Sequence, residues 1–266
     1  LAEVFFMFQA LGKNPDEIAN ILKSWKNTTN SYLLEITIDI LKKKEEGDWL
    51  VNKIMDKAGN KGTGNWTTIA TAQLGVPSTM IAVALFARYT SFYKEERINA
   101  SENIDKNTNP NLNIETVDIL KAYKFARIIN HYQGFKLIQE ASNSYKWGLN
   151  LSELARIWTN GCIIKSDLME ELVSIFKTTN NMLTNEIIIQ KINKLKPSIK
   201  KVVSECILNE LPIPNFTESI NFLNTFATAN SSANLIQAQR DYFGAHTYQR
   251  KGDDSNKFYH TDWKSN

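Results

Sequence analysis

The chain has 266 residues, 42% of them hydrophobic and 22% charged, with a formal net charge of +3. That is enough apolar material for one large core or two modest ones, and it excludes wholesale disorder. The charge is too balanced for a general nucleic-acid binder but compatible with a local pocket for a small anion. The longest apolar run, Met80 to Ala87, is far short of the roughly 20 residues a membrane span requires.

Helical signals run from end to end. Val4, Phe5, Phe8 and Leu11 mark one face of a helix already under way at Leu1, so the expectation is that an upstream part has been cut away. Gly12 closes that helix. Asn14, Pro15 and Glu17 supply the cap, first-turn proline and capping-box acid of the next, whose apolar face is Ile18, Ile21, Leu22 and Trp25. Leu33, Ile36 and Ile40 follow at helical spacing. Gly75 and Pro77 separate two further helices, the second expected over about 78–97. The asparagine-rich stretch 99–113 reads as a surface loop.

Residues 117–141 are apolar on several faces, which predicts a central helix buried on more than one side. Lys121, Lys124, Arg127 and His131 give it a basic stripe, read as a solvated face. Asn150 with Glu153, and Asn215 with Glu218, predict two more capped helix starts. After Gly244 the pattern fades into a polar tail. The fold class is all-α, a large helical domain over 1–246 with an extended tail over 247–266. Cys162 and Cys206 match no metal spacing and read as reduced core thiols of a cytosolic protein.

Three segments could carry chemistry. In Lys61-Gly62-Thr63-Gly64-Asn65-Trp66, two glycines let backbone N–H groups converge, Lys61 adds charge and Thr63 a hydroxyl, just before a helix start. By itself this is either an oxyanion site or a glycine-rich turn. Arg88, inside an apolar helix, needs a partner or ligand unless its tip reaches solvent. Arg240 and His246 bring a cation and an imidazole to a helix end opened by Gly244, an arrangement that is also common in purely structural roles. Nucleophile elbows, zinc-protease motifs, Cys-x-x-Cys pairs and a dinucleotide fingerprint are all missing from the sequence, and a total of three histidines argues against a multi-histidine metal site.

The run Ile54 to Trp66 resembles the signature of the 6-phosphogluconate dehydrogenase family. Further resemblances in family order are Leu33 to Thr37, Gly75-Val76-Pro77, Phe86-Ala87-Arg88, Glu96 to Ser101, Gly161 to Ile164, Asn234 to Tyr248 and His260 to Trp263. The chain is similar to the family's helical C-terminal domain. The resemblance implies oxidative decarboxylation of 6-phosphogluconate to ribulose 5-phosphate with NADP as oxidant, in the pentose phosphate pathway. It further implies substrate binding by Lys61, Thr63 and Arg88, and a homodimer in which Arg240 and His246 act in the partner's site. The family's general-base lysine, general-acid glutamate and NADP-binding domain belong to the segment upstream of residue 1, so no catalytic acid or base and no cofactor or metal ligand is assigned within the chain.

Ala82-Val83, Thr159-Asn160 and Lys165 depart from the usual Gly-Glu, Arg-Gly and Arg of the family. A related β-hydroxyacid dehydrogenase fragment and a non-catalytic helical dimerisation module are the alternatives. The three cations favour a phosphorylated substrate over the first, and the intact motifs argue against the second.

Overall fold

The computed structural model describes residues 1–107 and 109–264, and the chain is all-α. Helices α1 (Ala2–Ala10), α2 (Pro15–Thr29) and α3 (Tyr32–Lys42) lead into a minimal antiparallel hairpin, β1 (Lys44–Glu45) and β2 (Asp48–Trp49). Then come α4 (Leu50–Lys53), α5 (Thr63–Gln73), α6 (Thr79–Phe92), α7 (Lys94–Asn103), α8 (Thr116–Ser144), α9 (Leu151–Trp158), α10 (Asp167–Ile175), α11 (Glu186–Leu208), α12 (Pro214–Phe226) and α13 (Ala233–Gly244). Contacts divide the chain into two units, Leu1–Phe222 and Leu223–Asn266. The helix carrying Arg240 therefore groups with the tail.

In the first unit α8 is the axis. Its buried residues, among them Ile119, Tyr123, Phe125, Ile129, Tyr132 and Phe135, face several directions, as the unbroken apolar pattern predicts. Helices α11, α2 and α6 pack on it. Trp25 of α2 stacks on Tyr123 at 5.7 Å and meets Phe8 of α1 at 6.0 Å. Phe135 packs against Phe176 at 4.5 Å and Trp158 at 5.6 Å, which closes the other end of the core. A proline, Pro197, lies inside α11.

The capping box on α2 forms as expected: Asn14 accepts from Glu17 N–H, and Glu17 accepts from Asn14 N–H. Asn150 likewise caps α9. Asn215 does not cap α12. That helix starts one residue earlier, at Pro214, and Glu3 of α1 caps it, its carboxylate accepting from the N–H groups of Asn215 and Phe216 and from the Asn215 amide at 2.9–3.0 Å. A remote acid has replaced the local cap, which no short-range pattern reveals.

Other expectations shift. In α3 the buried face is Leu34, Ile38 and Leu41, whereas Leu33 and Ile40 are exposed; both sets have helical spacing, and only packing selects one. The helix expected over 78–97 breaks at Tyr93 into α6 and α7. The stretch 99–113 begins inside α7, and its later part is pinned rather than free. Glu210, Asn209 and Glu205 at the end of α11 accept from the backbone of Asn107, Asn111 and Asn113, and Leu112 is buried. Thr108 lies outside the described residues. Cys206 is a buried free thiol, but Cys162 is only half-buried.

The basic stripe of α8 is not a solvated face. Lys121, Lys124, Arg127 and His131 are all partly covered. Arg127 donates to the Thr29 hydroxyl at 2.8 Å. His131 Nδ1 donates to the Arg127 carbonyl at 2.8 Å. Burial, then the Arg127 charge, lowers the His131 pKa to about 4.

Two outcomes are expected. Glu3→Ala lowers unfolding free energy by about 1–2 kcal/mol in chemical denaturation, because α12 loses its charged cap. His131 is neutral when folded and binds a proton more readily when unfolded, so its contribution is present above about pH 6.5 and lost as pH falls toward 4. His131→Gln therefore flattens the stability profile across that window by up to about 3 kcal/mol; an unchanged slope would count against the buried neutral imidazole.

Candidate functional site

The segment between α4 and α5 is held by a charge clamp. Asp56 receives Lys94 Nζ at 2.7 Å and both terminal nitrogens of Arg97 at 3.0 Å. Those bonds, from Lys94 first and Arg97 second, hold its carboxyl at about 2. Arg97 also donates to the carbonyls of Asp56 and Ser91. The break at Tyr93 has a use, since it turns α7 so that Lys94 and Arg97 meet Asp56.

From Asp56 the chain runs along α6. Ser91 Oγ accepts from Ala58 N–H at 2.9 Å, and Tyr89 Oη accepts from the Asn60 amide at 3.2 Å. Asn60 Oδ1 then accepts from Gly62 N–H at 2.7 Å, an Asx turn that delivers the chain into α5. Gly62 is the N-cap at φ +95°, a left-handed conformation that glycine adopts without a Cβ penalty. Gly64 lets α5 close on α6, because a Cβ there would lie 3.3 Å from Leu85 Cδ1.

The first intrahelical bond of α5 runs from Trp66 N–H to Gly62 carbonyl. The amides of Thr63, Gly64 and Asn65 thus stand at the positive end of the helix, ahead of that bond. Lys61 and Thr63 are exposed beside them. The helix starts inside the motif, at Thr63, rather than just beyond it, and the ingredients of an anion site stand at its first turn.

Arg88 lies on α6, one residue from the Tyr89 that holds Asn60. It is exposed rather than buried, because α6 buries only Met80 and Leu85. An apolar helix composition is not a buried helix, so the solvent-reaching alternative holds. The start of α6 is fixed by Gln133 of α8, which is fully buried; its Oε1 accepts from Met80 N–H at 2.9 Å and its amide donates to Thr79 at 3.2 Å. Lys61, Thr63 and Arg88 thus share one braced neighbourhood. Asp56, Asn60, Ser91 and Gln133, which brace it, had no sequence signal of their own apart from the Asn-x-Gly spacing.

Arg240 and His246 belong to the second unit, where both are exposed. Arg240 donates to Gln237, and Gln237 donates to the Thr247 carbonyl at 2.6 Å. The His246 ring stands edge-on to Phe243 and lies over Gly244, where a Cβ would fall 2.7 Å from Nε2. The tail is folded back. Buried Asp241 accepts from Thr247 N–H, His260 Nδ1, Thr261 N–H and Trp263 Nε1 at 2.9–3.1 Å, and Tyr248 bridges Tyr259. Burial pushes the Asp241 carboxyl up, but donation from His260, Trp263 and the two backbone amides overcomes it and holds it at about 2. Ala245 and Thr247 take left-handed φ of 49° and 58° on either side of His246, a strain the Asp241 bonds sustain.

A family model described as 6-phosphogluconate dehydrogenase, C-terminal domain, matches residues 1–263. The chain belongs to the 6-phosphogluconate dehydrogenase family. It is 39% identical over 267 residues to a decarboxylating 6-phosphogluconate dehydrogenase of Lactococcus lactis, covering 96% of this chain and 56% of that protein. Against the Staphylococcus aureus enzyme the identity is 38% over 273 residues, covering 99% and 58%. The Plasmodium falciparum 6-phosphogluconate dehydrogenase, solved in apo form and in complex with NADP+ and with 6-phosphogluconate, superposes with a TM-score of 0.92 at 33% identity, over 98% of this chain and 59% of that one. The chain thus spans slightly more than half the length of these 6-phosphogluconate dehydrogenase relatives.

One departure from the family pattern has a structural account: Lys165 bonds through its backbone, its carbonyl accepting from Tyr32 N–H, so the lysine-for-arginine exchange leaves that link untouched. No helix among the described residues is long and apolar enough to cross a membrane.

Asp241→Ala is expected to free the tail: limited trypsin digestion should cut at Arg250, Lys251 and Lys257 much faster than in the parent chain, with the 1–222 unit still resistant. Equal cleavage rates would mean that Asp241 does not hold the tail.

Proposed function

We propose that this chain is the substrate-binding and dimer-forming part of an NADP-dependent 6-phosphogluconate dehydrogenase, which converts 6-phosphogluconate to ribulose 5-phosphate with loss of carbon dioxide. The observation that carries the reading is the braced Lys-Gly-Thr-Gly turn at the positive end of α5, held against the helix of Arg88. In this reading Arg88 pairs with the phosphate, where a planar fork of donors matches the oxygens. Lys61 and Thr63 hold the sugar acid from the glycine turn. Arg240 and His246 of a second copy complete the site.

Exposed Ile54, Met55, Trp66, Phe86, Phe92 and Tyr93 along α4 to α7 support association, since so much apolar surface is unusual on a monomer. Among the described residues the sheet is a single hairpin with two-residue strands, with no parallel strand feeding a glycine-rich turn and helix. NADP, the general base and the general acid would come from a segment outside these 266 residues, and no chemical step is assigned to this chain.

Calorimetric titration of 6-phosphogluconate into the chain, with gluconate as control and Arg88→Ala beside it, tests the reading. Binding that needs both the phosphate and Arg88 is the expected result, with a loss of about 2 kcal/mol in the variant, together with a dimer in sedimentation and no reduction of NADP. Binding indifferent to Arg88, or turnover by the chain alone, would contradict it.

A further inference from the structure

Three cations of the α8 stripe line a cavity of about 500 Å³ between α2, α8, α10 and α11. That volume lies in the range of small-molecule sites. Five cations stand around it: Lys121, Lys124 and Arg127 from α8, and Lys191 and Lys194 from α11. Only two carboxylates do, and both are engaged. Glu171 pairs with Lys191, and Asp167 accepts from Asn30 N–H at 2.7 Å. Arg127 is turned to Thr29. Lys121, Lys124 and Lys194 have no carboxylate partner among the described residues. Apart from Thr28 and Thr29, the rest of the wall is apolar, with Leu120, Ile128 and Leu195 in it.

We propose that this cavity binds a small organic phosphate, its apolar body against Leu120, Ile128 and Leu195 and its charged end against Lys121, Lys124 and Lys194. Lysines converging on a partly apolar cavity repel one another and lose hydration, and an entering dianion relieves both costs. The state of Lys124 agrees: burial, then the charges of Lys191, Arg127 and Lys194, lower its pKa from the ordinary lysine value. A merely solvated stripe would let each ammonium reach bulk water separately. The apolar wall sets the ligand class, since inorganic phosphate alone would leave it empty. The site is independent of Lys61, Thr63 and Arg88, which lie on other elements.

The probe is 1-naphthyl phosphate, titrated calorimetrically into the full chain carrying Arg88→Ala, so that the α5–α6 neighbourhood does not contribute. Inorganic phosphate and 1-naphthol are the controls. Saturable binding is expected, with each control at least about tenfold weaker, and with Lys124→Gln, Lys194→Gln, or Leu120→Trp, which fills the cavity, each reducing affinity about tenfold or more. Amide shifts in NMR spectra should centre on Thr28, Thr29 and Lys124. Because Lys194 is exposed, Lys194→Gln leaves the fold intact and keeps the test decisive should the core variants misfold. Absence of saturable binding, affinity unchanged in Lys194→Gln, or shifts centred elsewhere would each overturn the proposal.

Discussion

The first unit depends on one constraint: α8, 29 residues long, buries side chains on several of its faces. A helix apolar on several sides has to be enclosed, and α2, α6 and α11 are positioned by doing so. The enclosure also fixes the site. Gln133, fully buried on α8, cannot leave its amide unpaired without a desolvation cost, and it meets that need by accepting from the first turn of α6. The helix of Arg88 is thereby registered to the core through one polar side chain, and the glycine turn is in turn registered to that helix through Tyr89 and Ser91.

What the sequence made legible were features whose physics is local. The capping box at Asn14 and Glu17, the central helix and the left-handed cap at Gly62 each follow from a few adjacent residues. What it hid were choices made between distant segments. Leu33 and Ile40 have the same spacing as Leu34 and Ile38, and only the neighbours of α3 decide which pair is inside. Glu3 caps a helix that begins more than 200 residues later. Arg88 left two readings open, a paired guanidinium or one reaching solvent, and packing chooses the second, because its helix is apolar on a face this chain leaves open.

The same distinction applies to charge. Lys121, Lys124 and Arg127 at spacing three read as a surface row, since a charge row usually faces water. Here α11 brings two more lysines to the same space, and the row becomes a wall. Conversely, Asp56 and Asp241, which lie within the family motifs but were given no role of their own, organise their surroundings by accepting several donors each. Buried or crowded carboxylates with many donors are rigid points in both units.

The long-range carboxylate contacts also order events in time. The amides that Glu3 caps are 212 and 213 residues behind it in synthesis. All four donors to Asp241 come from residues 247 to 263. Neither contact can form before the later residues have emerged, so Glu3 waits unpaired for residues 215 and 216, and α13 waits for residue 263. The Glu3 contact, of high sequence separation, slows folding, because chain closure precedes any reward. A cell making this chain would hold α1 unfinished until residue 216 emerges and α13 until residue 263 does, intervals in which a chaperone has surface to cover.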